Sequence, residues 1–217
     1  MRQLALEIRP LAPVRLEDIV PGSNAEVLAM LCAIGESKQH EPIYVWGPPG
    51  CGKSLMLAAL TESLPSAALV SGSSPSWPAQ AGPLLIDDVD QLDEGNQVEA
   101  FNRYNRNKAA AVPWVASGSQ APAGLSSVRE DLRTRLGWGL VYQIHPLNDA
   151  EKCQALLGRA GQLGFELDGA IADYLLTRYS RDLHQLLAVV DALDRFSLEQ
   201  KRRVSLPLLK MLLPSQG

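Results

Sequence analysis

The sequence predicts an α/β fold in which a parallel five-stranded sheet is followed by a small helical domain. Short apolar runs alternate with helical patterns up to about residue 147, which is typical of an open parallel sheet. A glycine-rich loop separates the first apolar run from a helix, and consecutive helical patterns follow Pro146. We therefore expect an N-terminal arm at 1–21, an α/β domain at 22–147 and a helical lid at 148–217.

The elements follow from local composition. Three prolines punctuate residues 1–21, so this segment is expected to be an extended arm. Asn24 is expected to cap a helix over 25–36, where apolar residues recur at helical spacing. Trp46, Trp114 and Trp138 are interpreted as core residues. Strands are expected at 43–46, 67–70, 84–86, 112–116 and 141–144, and further helices at 53–64, 94–108, 128–136, 149–163, 169–179, 181–196 and 206–213.

Composition excludes several classes of function. The chain has 217 residues, with 20 basic and 24 acidic side chains. This acidic balance argues against tight direct binding to DNA, which requires a basic face. No apolar run is long enough to span a membrane, and Glu7 and Arg9 interrupt the segment where a secretory signal would lie. Three widely spaced cysteines fit free thiols in a reducing cytoplasm.

The segment GPPGCGKS at residues 47–54 fits the phosphate-binding pattern G-x-x-x-x-G-K-[ST] at every required position. Glycines allow successive backbone N–H groups to surround a phosphate, while Lys53 balances its charge and Ser54 can hold Mg²⁺. The pattern predicts a site for ADP or ATP with Mg²⁺. The residues expected to contact the nucleotide are Gly47, Pro48, Pro49, Gly50, Cys51, Gly52, Lys53, Ser54 and Leu55.

An apolar strand ends in two acids, Asp87 and Asp88. Asp87 is placed to reach the metal through water, and Asp88 to orient an attacking water. Six acids and no base lie between Asp87 and Glu99, so an unpaired acidic turn is the alternative. Beside an intact phosphate loop the metal role is favoured for Asp87, whereas for Asp88 the two interpretations are equally supported.

Two arginines are candidates for sensing phosphate, because arginine stays charged and stabilises a transferring phosphoryl group. They are Arg135, in the segment DLRTRL, and Arg181, in the segment YSRDL. Taken alone, either side chain is more often a solvated helix charge.

The order of these motifs resembles that of the DnaA-type AAA+ family of P-loop NTPases, and within it most closely the Hda branch of DnaA regulatory inactivators. The acidic pair at 87–88, the segment RLGWGL at 135–140 and the segment RDL at 181–183 carry the resemblance. It implies that Arg135 is an arginine finger acting in trans and that Arg181 is the lid arginine called sensor 2. Ser119 takes the sensor 1 position, where the family usually has an acidic residue.

Two further features are similar to the Hda branch. Because the lid is the last segment of this sequence, we expect no helix-turn-helix DNA-binding domain like that of DnaA. The segment QLALEI at residues 3–8 resembles the sliding-clamp-binding peptide of the branch. Such a peptide binds as an extended segment whose apolar side chains enter pockets. The expected contacts to the clamp are made by Gln3, Leu4, Leu6 and Ile8, although a plain N-terminal arm is the alternative.

The resemblance implies a bacterial cytoplasmic adaptor at the replisome. Its expected partners are DnaA and the sliding clamp (the β subunit of DNA polymerase III). It would stimulate hydrolysis of DnaA-bound ATP, with little hydrolysis of its own. The alternative is a self-assembling ATPase, such as a helicase loader, that uses Arg135 within a homo-oligomer. A DNA-binding initiator fragment is disfavoured by the net charge. The segment 71–83 is shorter than the helix that the family usually carries there.

Overall fold

The computed structural model describes residues 14–179 and 182–213. Within these ranges the chain divides into two compact units, Val14–Pro146 and the residues from Leu147 onward. The first unit is α/β and the second is entirely helical, so the predicted fold class is confirmed. Across the described ranges, no helix combines the length and the apolar character that crossing a membrane requires.

The α/β unit is built on a five-stranded sheet in which every neighbouring pair is parallel. The strand order is β2-β3-β4-β1-β5, so the first strand lies between the last two. The ladder pairs Tyr44 with Ala116 and, one strand further, Ala116 with Ile86. The strands are β1 Ile43–Trp46, β2 Ala68–Ser71, β3 Leu84–Asp87, β4 Trp114–Gly118 and β5 Leu140–Gln143.

All eight predicted helices are present, with ends that differ by a few residues. The prediction also placed β4 two residues too early. Pro113 has no N–H to donate to the ladder, and the strand begins after it. The helices are α1 Ala25–Gly35, α2 Lys53–Ser63, α3 Glu94–Ala109, α4 Glu130–Trp138, α5 Asp149–Gln162, α6 Gly169–Arg178, α7 Leu183–Gln200 and α8 Leu206–Leu212.

Helices cover both faces of the sheet, because successive strand residues point to opposite sides. On one face Val45 and Leu85 pack with α1 and α2 through residues such as Leu57. On the other face Tyr44 and Ile86 pack in a cluster with residues of α3 and α4. The central strands are therefore buried on both sides, and only their ends are available for chemistry.

The first described residues belong to the α/β unit, which corrects the predicted arm at 1–21 in its last part. Residues Leu16–Asp18 form a short 3₁₀ turn, and the Leu16 side chain is only 5% exposed within the α1–α2 cluster. Burial of this apolar side chain holds the segment against the core. Residues 1–13 lie outside the described residues.

Asn24 does not cap α1, contrary to the sequence-based expectation. Its buried side chain instead donates to the His145 carbonyl (2.9 Å) and accepts from the His145 N–H (2.8 Å). The amide thus satisfies both backbone groups of a residue that follows β5.

The connection from β2 to β3 contains no helix, as its length predicted. Side chains of α3 hold this loop at three points. The Trp77 indole donates to Asn96 (2.6 Å), Arg103 donates to the Pro78 carbonyl (2.7 Å), and Asn107 donates to a further loop carbonyl, at residue 82 (3.0 Å).

The helical unit contains a buried ion pair between α5 and α7. The Arg159 side chain is 4% exposed and donates two hydrogen bonds to the Asp191 carboxylate, at 2.7 and 2.8 Å. The helix that carries Arg159 starts with a capping box made by Asn148 and Glu151. The capping box fixes the start of α5, and the ion pair joins α5 to α7.

Candidate functional site

The phosphate loop lies between the end of β1 and the start of α2. Gly52 precedes the helix with a φ of +104°, a left-handed conformation that glycine adopts without strain. No side chain caps α2, so its first N–H groups remain directed out of the helix. A helix N-terminus of this kind, following a glycine-rich loop, is a ready anion site.

Lys53 places a cation inside this loop. Its side chain is buried, and the ammonium group donates to the carbonyls of Gly47 (3.0 Å) and Pro48 (3.3 Å). Neutral carbonyls hold the charge without cancelling it. Ser54, the next residue of α2, is exposed, while the Cys51 side chain is buried and its pKa is raised by that burial. The loop therefore offers a fixed positive charge and free N–H groups, which suits a nucleotide phosphate.

Asp87 is the last residue of β3 and Asp88 follows it, at the same edge of the sheet. Asp88 has a φ of +53°, and a Cβ at position 72 would lie 1.9 Å from the Asp88 carbonyl oxygen. Only glycine fits at position 72, where the Gly72 N–H donates to the Asp87 carbonyl (2.7 Å). This close backbone contact fixes the turn that carries both carboxylates.

The pKa of Asp88 is raised, chiefly by burial and then by the negative charge of Asp87, while Lys53 opposes the shift. Burial penalises the charged form, and a neighbouring carboxylate does the same. A carboxyl group with a raised pKa beside a lysine ammonium is typical of a group that takes part in chemistry.

Ser117 is the β4 residue that contacts the acidic pair. Its side chain is fully buried, and its hydroxyl donates to the Asp87 carboxylate (2.5 Å) and accepts from the Asp88 N–H (2.8 Å). Ser119, to which the resemblance gave the sensor 1 position, is exposed and bonds instead to the Asp90 carboxylate (2.6 Å). Ser117, and not Ser119, is therefore the β4 side chain that contacts the acidic pair, while the sensor 1 role of Ser119 stays a prediction.

Strand register could have identified Ser117 from the sequence. Ile86 pairs with Ala116, so the next residue on each strand, Asp87 and Ser117, must lie side by side. The prediction ended β4 at residue 116 and therefore treated Ser117 as part of the loop.

A metal would be held by few protein groups. In residues 14–179 and 182–213, no three His, Cys, Asp or Glu side chains are grouped to hold an ion. Mg²⁺ usually binds through one or two protein oxygens together with substrate phosphates and water. Ser54 and Asp87 fit that pattern beside the phosphate loop.

Arg135 lies elsewhere, in the last turn of α4. Its guanidinium carbon is 4.1 Å from the centroid of the Trp138 ring and 5.6 Å from that of Phe101. Trp138 is 61% exposed, so its interpretation as a core residue is wrong, whereas Trp114 is buried as expected. Among the described residues, no hydrogen bond or ion pair joins Arg135 to the phosphate loop.

Two of the sequence-predicted sites cannot be placed. Arg181, the expected sensor 2 residue, and the segment 3–8 both lie outside the described residues. Of the predicted site residues within the described ranges, the contacts bring the phosphate loop, Asp87 and Asp88 together and leave Arg135 on a separate surface.

A phosphate loop after β1, acids after β3, the strand order 2-3-4-1-5 and a following helical unit define an AAA+ P-loop protein. A family model described as "Hda, lid domain" matches residues 149–213. Domain III of the Thermotoga maritima replication initiator DnaA superimposes with a TM-score of 0.73 at 19% identity, covering 94% of this chain and 98% of that one. Residues 149–213 thus match the Hda lid family, and the chain has the fold of DnaA domain III.

Further solved structures share this fold, and a sequence relative covers nearly the whole chain. AMPPCP-bound DnaA from Aquifex aeolicus gives a TM-score of 0.67 at 19% identity, over 88% of this chain and 68% of that one. The RuvB R170A protein of T. maritima gives 0.66 at 16% identity, over 94% and 72%. An uncharacterized protein of Haemophilus influenzae is 29% identical over 98% of both chains.

Replacing Ser117 is expected to destabilise the α/β unit more than replacing Ser119. Ser117→Ala leaves a buried N–H without its acceptor and a carboxylate without its donor, which costs about 1–3 kcal/mol. Ser119→Ala removes exposed contacts and should change the free energy of unfolding by less than about 0.5 kcal/mol. Urea unfolding of both variants measures the difference. Equal losses would show that the Ser117 hydroxyl has no special structural role.

Replacing Asp88 by Asn is expected to stabilise the protein at neutral pH. A carboxyl pKa raised by folding stabilises the protein only at pH values below the unfolded pKa, and that contribution is lost as the pH rises. The gain of Asp88→Asn in unfolding free energy should therefore shrink as the pH is lowered through the range in which carboxyl groups protonate. The lowest pH values serve as an internal reference, because the protonated Asp88 side chain and the Asn side chain of the variant are then both neutral. A gain in unfolding free energy that does not change with pH would show that Asn only fits the left-handed backbone at position 88 better than Asp does.

Proposed function

We propose that this chain is a nucleotide-binding regulator that stimulates hydrolysis of ATP bound to a DnaA-type initiator, and so represses re-initiation of replication. The lid match and the DnaA-like fold support a DnaA-related regulator or AAA+ replication factor. The observation that carries the more specific proposal is Arg135, whose half-buried side chain on α4 lies over an exposed indole. A cation in this position suits the phosphate of a neighbouring molecule.

The chain's own nucleotide, ADP or ATP with Mg²⁺, would occupy loop 47–55. The N–H groups of the loop would surround the phosphates, Lys53 would move from its carbonyl contacts to the phosphate oxygens, and Ser54 and Asp87 would hold the metal. Mg²⁺ supplies neutralisation of phosphate charge when it is bound. Asp88 would orient water. Arg181 would couple the bound nucleotide to the lid.

Arg135 would act on the nucleotide of a partner and not on the chain's own. An arginine finger supplied in trans stabilises charge on the transferring phosphoryl group and accelerates hydrolysis by about 10³–10⁵ in well-studied NTPases. Such a residue must project from the surface and keep its N–H groups available. Among the described residues, Arg135 makes no hydrogen bond or ion pair with the phosphate loop, which agrees with this arrangement.

The segment 3–8 would bind the sliding clamp, through Gln3 and the apolar side chains Leu4, Leu6 and Ile8. This tether would restrict stimulation to the bacterial replisome in the cytoplasm. A regulator recruited by a clamp on DNA acts only after synthesis has begun, so the timing of repression would follow from the tether.

A second candidate function is a self-assembling ATPase, such as a helicase loader. The intact set of Lys53, Asp87 and Asp88 favours it, since a pure adaptor does not require hydrolysis of its own nucleotide. In that case Arg135 would complete the site of a second copy of the chain. ATP turnover would then rise with protein concentration and would require no other protein.

Replacing Lys53 is expected to abolish most nucleotide binding. Removing one charged hydrogen-bond donor costs about 1.5–3 kcal/mol, which corresponds to a loss of affinity of roughly 10- to 150-fold. Titration with a fluorescent ADP analogue measures the change in Lys53→Ala. Lys108→Ala serves as the matched control, because Lys108 is an exposed lysine at the end of α3. Equal affinity in the two variants would contradict the phosphate-loop assignment.

Replacing Arg135 is expected to remove stimulation and to leave nucleotide and clamp binding intact. The measurement is single-turnover hydrolysis of ATP preloaded on DnaA, with this chain added, in the presence and absence of DNA-loaded clamp. Arg135→Ala should lower the stimulated rate by on the order of 10³-fold or more, to the unstimulated rate. Arg133→Ala, two residues earlier on the same helix, is the matched control.

Three further outcomes of that experiment decide between the candidates. Stimulation that requires the clamp and disappears when Gln3 and Leu6 are replaced by Ala supports the tether. Full stimulation by Arg135→Ala overturns the trans assignment. No effect on DnaA, together with turnover that depends on the concentration of this chain alone, favours the self-assembling ATPase.

A further inference from the structure

The side chain of Arg135 is held by aromatic rings and not by carboxylates. Its guanidinium carbon lies 4.1 Å from the Trp138 ring centroid and 5.6 Å from that of Phe101. In the described parts of the chain, Arg135 forms no ion pair. The nearby Arg129 differs, since it bonds to the carboxylates of Asp131 (3.0 Å) and Glu94 (3.3 Å). Aromatic rings thus hold Arg135, whereas carboxylates hold Arg129.

The mode of contact determines what the guanidinium can still bind. A guanidinium is planar, its face stacks on aromatic rings, and its N–H donors lie at the edge of the plane. A carboxylate partner occupies those donors, whereas an aromatic ring leaves them available. Arg135 therefore keeps the donors that bind phosphate bidentately, although its side chain is held in place.

The position of Trp138 is set by the backbone around it. Trp138 is the last residue of α4, and β5 begins two residues later. The intervening Gly139 packs against Pro42 so closely that a Cβ would lie 2.2 Å from the Pro42 carbonyl oxygen, which also accepts a hydrogen bond from the Leu140 N–H (2.9 Å). The indole thus extends from a segment fixed to the sheet, even though it is 61% exposed.

At 61% exposure the indole gains little from burial in the isolated chain. Its ring does lie against the guanidinium of Arg135. The stack restricts a long side chain that would otherwise sample many rotamers, and it does so without reducing the positive charge.

We propose that Trp138 is the positioning residue for Arg135, holding the guanidinium over its indole ring while the N–H donors stay available to a phosphate of a nucleotide bound by a partner AAA+ subunit. This inference rests on the proposed function for the phosphate role. The stack itself is a property of the isolated chain and is tested separately.

The stack is tested by the indole N–H signals in a ¹H–¹⁵N spectrum of the full chain. The four tryptophans give distinguishable signals, and Trp138→Phe identifies the signal of Trp138. Arg135→Ala should shift the Trp138 signal and leave those of Trp46, Trp77 and Trp114 in place. Arg133→Ala is the matched control and should shift none of them. An unchanged Trp138 signal in Arg135→Ala would overturn the stack.

The positioning role is tested by a double-mutant cycle in the single-turnover assay with DnaA-bound ATP. Trp138→Ala should lower the maximal stimulated rate by about 3- to 30-fold, which is the range of a cation–π contact. In the Arg135→Ala background the same change should have no further effect, because Trp138 acts only through Arg135. Trp138→Tyr should restore most of the rate, and Trp138→Leu should not, since only the first keeps an aromatic face.

Each other outcome has a defined meaning. If Trp138→Ala raises only the concentration of this chain needed for half-maximal stimulation, Trp138 is a docking contact and the positioning role is overturned. If its effect persists in the Arg135→Ala background, the role is also overturned. If the wild-type chain does not accelerate hydrolysis at all, the proposed function fails together with the phosphate role, while the indole signal still decides whether the stack exists.

Discussion

The register of three neighbouring parallel strands is the constraint on which the rest of the candidate site depends. β1, β4 and β3 lie side by side and run in the same direction, so their carboxyl ends meet at one edge of the sheet. The phosphate loop, the buried hydroxyl of Ser117 and the acidic pair lie at these ends. A slip of one residue would turn every side chain to the opposite face. Helices on both faces of the sheet prevent such a slip, because the central strands are buried on each side.

At that edge the charged groups favour ligand binding and do not stabilise the fold. The buried Lys53 ammonium donates to two carbonyls, while burial and the neighbouring charge of Asp87 raise the pKa of Asp88. Asp88 adds a left-handed backbone conformation, which is unfavourable for a residue other than glycine. Functional sites commonly carry such local costs. A phosphate with its metal would relieve them, since the lysine would gain an anion and the carboxylates a cation.

The sequence predicted much of the fold, because hydrophobic periodicity and the phosphate-loop motif are local signals. Eight helices and five strands were placed within a few residues. The errors arose where tertiary contacts decided the outcome. Asn24 has the composition of a helix cap but satisfies the backbone of His145, 121 residues away. Leu16 lies in a proline-rich segment but is buried by the core.

The site was predicted unevenly for the same reason. The nine residues of the phosphate loop form a contiguous motif, and so does the acidic pair, so sequence alone identifies them. Which β4 side chain contacts the acidic pair depends on register across strands, and the sequence motif did not indicate that Ser117 makes this contact. Trp138 was assigned to the core by composition, because an apolar side chain at a helix end gives no sign of being exposed.

Three arginines show why residue type alone cannot assign function in this chain. Arg159 is buried and bonded to Asp191, where its charge serves packing within the helical unit. Arg129 joins two surface carboxylates, an arrangement that contributes little to stability. Arg135 lies over an exposed indole and keeps its donors available. The side chain is identical in each case, and the neighbouring groups decide whether its N–H groups are already used. A residue that must reach the phosphate of another molecule has to be held without a carboxylate on its N–H groups, and of these three arginines only Arg135 meets that condition.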